Sequence, residues 1–118
     1  MFEIKVIADF SSAHRLRGYK GKCEGMHGHN WKVEVVLKSK TLDKLGMVKD
    51  FSEVKRVLND ILNELDHKCL NELDCFKKVN PTSENIAKYI YKGLKKAYKS
   101  LKFVSVWESD TSCASYET

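Results

Sequence analysis

The stretch Phe2-Glu3-Ile4-Lys5-Val6-Ile7-Ala8-Asp9-Phe10 sets Phe, Ile, Val, Ala and Phe at its even positions, with Glu3, Lys5 and Asp9 between them. That two-residue period marks a strand with one face turned to a core. A second alternation follows at residues 31–38, where Trp31, Val33, Val35 and Leu37 are interleaved with Lys32, Glu34, Val36 and Lys38. Residues 17–28, between the two, hold four of the six glycines and read as a loop.

Helical spacing takes over downstream. Asp50 and Glu53 resemble a capping box, and Phe51, Val54, Leu58, Ile61, Leu62 and Leu65 follow on one helical face, which predicts a helix over 51–66. Pro81, the only proline, precedes Thr82, Ser83 and Glu84, a helix-start signature. Ile86, Ile90, Leu94, Ala97 and Leu101 extend it as an apolar stripe, predicting a helix over 83–100. The chain closes with a strand-forming run at 103–108, a polar turn at 109–112 and a short run at 113–116. The order β-β-α-α-β-β describes an α+β fold, a four-stranded antiparallel sheet with two helices on one face. Its long strands need partners at their edges, and one chain of this length cannot close a barrel alone, so assembly through sheet edges into an oligomeric β-barrel is expected.

With 118 residues the chain is expected to form one domain, 1–118, with no room in it for a second catalytic domain. Its 42% hydrophobic and 31% charged residues exclude disorder as the main state. No apolar run is long enough to span a membrane, and the opening Met-Phe-Glu-Ile-Lys lacks a signal h-region, so no membrane partner and a cytoplasmic location are expected. Lys and Arg exceed Asp and Glu by 21 to 16, a bias that suits a phosphorylated ligand. The cations are mostly scattered lysines rather than a clustered Arg/Lys stripe, so no nucleic-acid partner is expected. The cysteines Cys23, Cys69, Cys75 and Cys113 form no C-x-x-C pair and read as free thiols.

The histidines carry the chemistry. His14 continues the even parity of the first strand through Phe10 and Ser12, while His27 and His29 continue the odd parity of Trp31 and Val33. If both strands extend that far, the three imidazoles share the buried face. Three histidines converging between paired strands form a metal geometry, and Zn2+ with three protein ligands keeps a fourth position open for catalysis. Cys23, four residues before His27, reads either as a fourth zinc ligand or as a reactive thiol. Asp66-His67 closes the first helix, where the plain reading is a C-terminal cation favoured by the helix dipole. The functional reading is a general base oriented by a carboxylate, which requires the chain to leave helical geometry there. Glu108 shares the parity of Val104 and Val106, so its carboxylate either points to the apolar side and needs donors, or turns to solvent at the strand end. Two parallel N–H groups, as on a pterin or guanine edge, would satisfy it in the way a guanidinium does.

Phe10-Ser11-Ser12-Ala13-His14-Arg15-Leu16, Cys23-x-x-x-His27-Gly28-His29, Gly46-Met47-Val48-Lys49-Asp50-Phe51, Leu65-Asp66-His67, Pro81-Thr82-Ser83-Glu84-Asn85 and Glu108 stand in the order found in the 6-pyruvoyltetrahydropterin synthase superfamily. The chain resembles that superfamily over nearly its whole length. The three residues between Cys23 and His27 make it most similar to the 6-carboxytetrahydropterin synthase branch of queuosine biosynthesis. The resemblance implies the tunnelling fold (T-fold), trimeric barrels stacked as a homohexamer, a dimer of trimers, and active sites at subunit interfaces. It implies His14, His27 and His29 as zinc ligands, Cys23 as the catalytic thiol, Asp66 and His67 as a proton-transfer pair from a neighbouring subunit, and Glu108 as the pterin anchor. Thr82, Ser83 and Glu84 match a helix-start motif at the substrate pocket. The implied reaction is a zinc-dependent lyase step that takes 7,8-dihydroneopterin triphosphate to 6-carboxy-5,6,7,8-tetrahydropterin, acetaldehyde and triphosphate. Two rivals stand beside it. One is the pyruvoyl-forming synthase of the same fold, which eliminates triphosphate without loss of carbon. The other is a zinc-stabilised binding module without turnover, whose closed four-ligand site would include Cys23.

Overall fold

Both N-terminal alternations become strands longer than their apolar residues alone indicate. In the computed structural model, which describes residues 1–20 and 25–118, β1 spans Phe2–His14 and β2 spans His27–Ser39. They pair antiparallel without interruption from Phe2 opposite Ser39 to His14 opposite His27. The polar ends of both strands are carried into the sheet by this continuous pairing, and it is these ends that hold the histidines. Cys23 lies outside the described residues.

Helix α1 spans Phe51–Leu62 and α2 spans Ser83–Lys95; β3 (Leu101–Ser109) and β4 (Ser112–Tyr116) complete a sheet of order β1-β2-β3-β4. All neighbouring strands are antiparallel. Two short 3-10 turns, Leu70–Glu72 and Asp74–Phe76, lie between the helices. The core forms where Val6, Phe10, Trp31, Val33, Val35, Val104 and Val106 of the sheet meet Val54, Leu58 and Leu62 of α1 and Ile86, Ile90 and Leu94 of α2. Gly93 of α2 faces Ile61 of α1 so closely that a Cβ there would stand 2.9 Å from Ile61 Cδ1. The order β-β-α-α-β-β and the antiparallel sheet agree with the sequence reading.

The helices are shorter than their stripes predicted. α1 stops at Leu62 rather than at residue 66, because the amides of Glu64 and Leu65 turn to carbonyls three residues back, Ile61 and Leu62. Leu65 is still buried, so the apolar spacing outlasts the helix. α2 stops at Lys95 rather than at residue 100, where Lys95 Nζ donates to the carbonyls of Lys99 and Leu101 across the turn into β3. Each start carries a side-chain cap: Asp50 accepts the Ser52 amide and Thr82 accepts the Asn85 amide. Among the described residues no helix is long and apolar enough to cross a membrane.

Candidate metal centre and its flanking dyad

The register of β1 against β2 brings the three imidazoles together where strand parity places them. His14 stands directly opposite His27, and Ser12 opposite His29, so all three rings project from adjacent rows of one sheet face. Their centroids are 4.7 to 5.1 Å apart. Trp31, one step further along β2, forms the floor, with its ring centroid 4.9 Å from His14 and 5.1 Å from His29. Its indole N–H donates to the Ser12 carbonyl, which keeps the ring in place without competing for the histidines.

Glu108 joins them from β3. Its Oε1 lies 3.0 Å from His29 Nε2 and 3.9 Å from His14 Nε2. One ligand atom from each of His14, His27, His29 and Glu108 falls within 4.8 Å of all the others, a set able to hold a metal ion. The shared parity with Val104 and Val106 therefore turns this carboxylate to the sheet face that carries the histidines.

Hydrogen bonds outside the cluster fix how the imidazoles present themselves. His14 Nδ1 lies 2.8 Å from the Pro81 carbonyl and His27 Nδ1 lies 2.9 Å from the Gly25 carbonyl. A carbonyl only accepts, so both Nδ1 atoms carry a proton and Nε2 is the ring atom turned away from these carbonyls. Metal-binding histidines are commonly oriented in this way by a backbone carbonyl on the other ring nitrogen. His14 is buried, and its Nε2 has no hydrogen-bond partner among the described residues. A buried imidazole nitrogen without a hydrogen bond, facing two further imidazoles and a carboxylate, suits a cation and is costly without one. This donor set therefore fits zinc, which favours nitrogen ligands in a tetrahedral arrangement.

Asp66 and His67 form a separate pair. The chain leaves helical geometry after Leu62, and His67 adopts a left-handed φ of 54°. This brings His67 Nδ1 within 2.9 Å of Asp66 Oδ2, the arrangement that a continued helix would forbid. Asp66 Oδ1 accepts the Ser11 amide at 2.9 Å, and the His67 amide donates to the Ser11 carbonyl. The dyad is thus pinned to the outer edge of β1 with the His67 imidazole largely exposed. The Ser11 amide, followed by His67, holds the Asp66 carboxyl below the usual carboxylate range.

Of the remaining predicted residues, Thr82 caps α2, Ser83 is buried in its first turn and Glu84 is exposed. The preceding Pro81 supplies the carbonyl that holds His14, so this helix start adjoins the metal centre through its backbone. Sequence reasoning missed that contact and the role of Trp31 as the floor. The parity of Trp31 with His29 was the available signal for the second; nothing in a side-chain pattern signals the first.

Comparison with known proteins agrees with this fold. The family model for 6-pyruvoyl tetrahydropterin synthase matches residues 3–118, and the chain belongs to that family. It is 40% identical to the 6-carboxy-5,6,7,8-tetrahydropterin synthase of Synechocystis sp. over 91% of this chain and 86% of that protein. It is 36% identical to the dihydroneopterin monophosphate aldolase of Pyrococcus furiosus over 87% of this chain and 86% of that one. The fold superimposes on Caenorhabditis elegans 6-pyruvoyl tetrahydropterin synthase with a TM-score of 0.87 at 26% identity, covering 99% of this chain and 95% of that one.

Proposed function

We propose that this chain is a zinc-dependent 6-carboxy-5,6,7,8-tetrahydropterin synthase, a lyase of queuosine biosynthesis acting in the cytoplasm on 7,8-dihydroneopterin triphosphate and releasing acetaldehyde and triphosphate. The observation that carries the reading is the convergence of His14, His27, His29 and Glu108 within 4.8 Å, in a chain that matches this family almost end to end. His14, His27 and His29 would hold the metal through Nε2. Zinc bound there supplies Lewis acidity that makes side-chain hydroxyls of the substrate more acidic and stabilises enolate-like charge.

The chain's own residues divide the remaining work. His67, with its tautomer set by Asp66, exchanges protons with the substrate side chain, and Cys23 does so from the opposite side. Glu108 accepts the paired N–H groups of the pterin head, and Thr82, Ser83 and Glu84 border its pocket. The dyad is fastened to the sheet-edge strand β1 through Ser11, which supports its contribution to the active site of an adjoining subunit within a homohexamer.

The pyrococcal relative favours a second reading, an aldolase acting on dihydroneopterin monophosphate at the same centre. Separate incubations with dihydroneopterin triphosphate and monophosphate, with mass analysis of the pterin and assay of released aldehyde, decide between them. 6-Carboxytetrahydropterin and acetaldehyde from the triphosphate are expected. A pyruvoyl pterin, or turnover of the monophosphate alone, overturns the first reading.

A further inference from the structure

Beyond His14 the chain is held by two asparagines rather than by another strand. Asn71 Oδ1 accepts the Arg15 amide at 2.9 Å and its Nδ2 donates to the Arg15 carbonyl at 2.9 Å. Asn80 does the same for Arg17, at 2.9 and 3.0 Å. A primary amide presents one acceptor and a donor side by side, so each asparagine imitates the paired backbone groups of a neighbouring strand. The two clamps are chemically alike and grip alternate residues. They differ in what they are attached to.

Asn80 precedes Pro81, whose carbonyl holds His14 Nδ1. Pro81 has no amide N–H with which to anchor itself, so the placement of its carbonyl depends on its neighbours. On one side stands Asn80, whose own carbonyl accepts from Asn85 Nδ2 and from the Thr82 amide, both at 2.9 Å. On the other stands the capped start of α2. The guanidinium of Arg17 adds a tie, donating to the carbonyls of Phe76 and Val79. The link from Asn80 to the metal-facing atom is therefore short: Asn80 side chain to the Arg17 backbone, Asn80 backbone to Pro81, Pro81 carbonyl to His14 Nδ1, and His14 Nε2 to the cluster. Among the described residues Asn71 has no such connection to Pro81.

We propose that Asn80 is the positioning residue of the metal centre. By fastening Arg17, three residues after β1, to the residue before Pro81, it holds the Pro81 carbonyl against His14 and keeps the imidazole in the tautomer and orientation that present Nε2. The inference rests on the metal-binding reading of the histidines.

The test compares wild type, Asn80→Ala, Asn80→Asp and Asn71→Ala as full chains stripped of metal. Zinc affinity is measured by competition with a chromophoric chelator, and the Co2+-substituted proteins are examined by visible absorption. Loss of a group that orients a metal-binding histidine typically weakens binding 10- to 100-fold, so Asn80→Ala should lose about tenfold and shift the cobalt bands. Asn80→Asp keeps the acceptor for the Arg17 amide but loses the donor, and should fall between; it serves also if the alanine variant does not fold. Asn71→Ala should lower the melting temperature as Asn80→Ala does, yet keep zinc affinity and the cobalt spectrum of wild type. Wild-type affinity and spectrum in the Asn80 variants overturn the proposal, as does an equal loss in Asn71→Ala, which would make the effect one of general loop stability. Wild-type protein that binds neither metal removes the metal reading itself, and this proposal with it.

Discussion

Asp66 holds Ser11 and His67 at once, accepting the Ser11 amide on Oδ1 and meeting His67 Nδ1 with Oδ2, both at 2.9 Å. The His67 amide returns the bond to the Ser11 carbonyl. An exposed imidazole is thereby given a fixed address on β1 without being buried. Such a group can meet a substrate bound by another surface, which is what a proton-transfer residue at a subunit boundary requires.

Asp66→Asn should separate the carboxylate's role from its place. The amide oxygen can still accept the Ser11 N–H, so the fold and metal content should persist. Turnover should fall about 100-fold or more, the usual scale for losing a positioned acid–base partner. The carboxyl of Asp66 is lowered in the folded state, so its stabilising effect is complete above the unfolded carboxyl value near 3.9 and is lost as pH falls through the folded value. Urea denaturation should find wild type more stable than Asp66→Asn at neutral pH, with the gap closing below about pH 4. A gap independent of pH would remove the carboxylate's charge from the account.

Much of this site was legible because strand parity is strict. Phe10, Ser12 and His14 share a face whatever the rest of the fold does, and His27, His29 and Trp31 share another. Continuous pairing of β1 with β2 then makes the two faces one. What parity could not reveal was backbone chemistry. The Pro81 carbonyl reaches His14 across 67 residues of chain, and a carbonyl carries no residue-type signal. The end of α1 was hidden for another reason: Leu65 is buried by a turn that leaves helical geometry yet preserves the apolar spacing. The same turn produces the Asp66–His67 contact, so the misplaced helix end and the weak dyad signal in the sequence have one cause.

Purified protein should carry about one zinc per chain, since three imidazoles make the usual catalytic shell for that ion. His29→Ala should lose most of it, as measured by elemental analysis, while circular dichroism remains that of the folded chain. Undiminished zinc in the variant would take His29 out of the ligand set.

Cys23→Ala should retain zinc and assembly but lose most turnover, because the role assigned to this thiol is proton transfer, not ligation. Metal analysis alongside the product assay reads both. Simultaneous loss of zinc and activity would instead favour a closed structural site.

The sheet ends in β1 on one side and β4 on the other. Segment 66–69 covers β1 only near its C-terminal end; among the described residues no backbone hydrogen bond reaches its outer edge before Ser11. Long open edges invite pairing with another copy. Light scattering should therefore show an oligomer in multiples of three, as a trimeric barrel requires. A stable monomer at micromolar concentration would contradict both the barrel and the shared active site.

Glu108→Gln tests whether the carboxylate beside His29 recognises the pterin head. In the protein Glu108 Oε1 stands 3.0 Å from His29 Nε2, with the side chain 39% exposed, so the group borders the metal centre while remaining open to a ligand. A pterin offers a ring N–H and an amino group in parallel, and a carboxylate accepts both. Glutamine keeps the size but turns one acceptor into a donor that opposes the pterin's own N–H. Such a mismatch costs about 1–3 kcal/mol, more where charge is lost, or roughly tenfold or greater in binding. Zinc content should be unchanged, since the three histidines suffice to hold it. Calorimetry with sepiapterin or biopterin should thus show clearly weakened binding by a zinc-loaded variant, and wild-type affinity would show that Glu108 does not recognise the pterin.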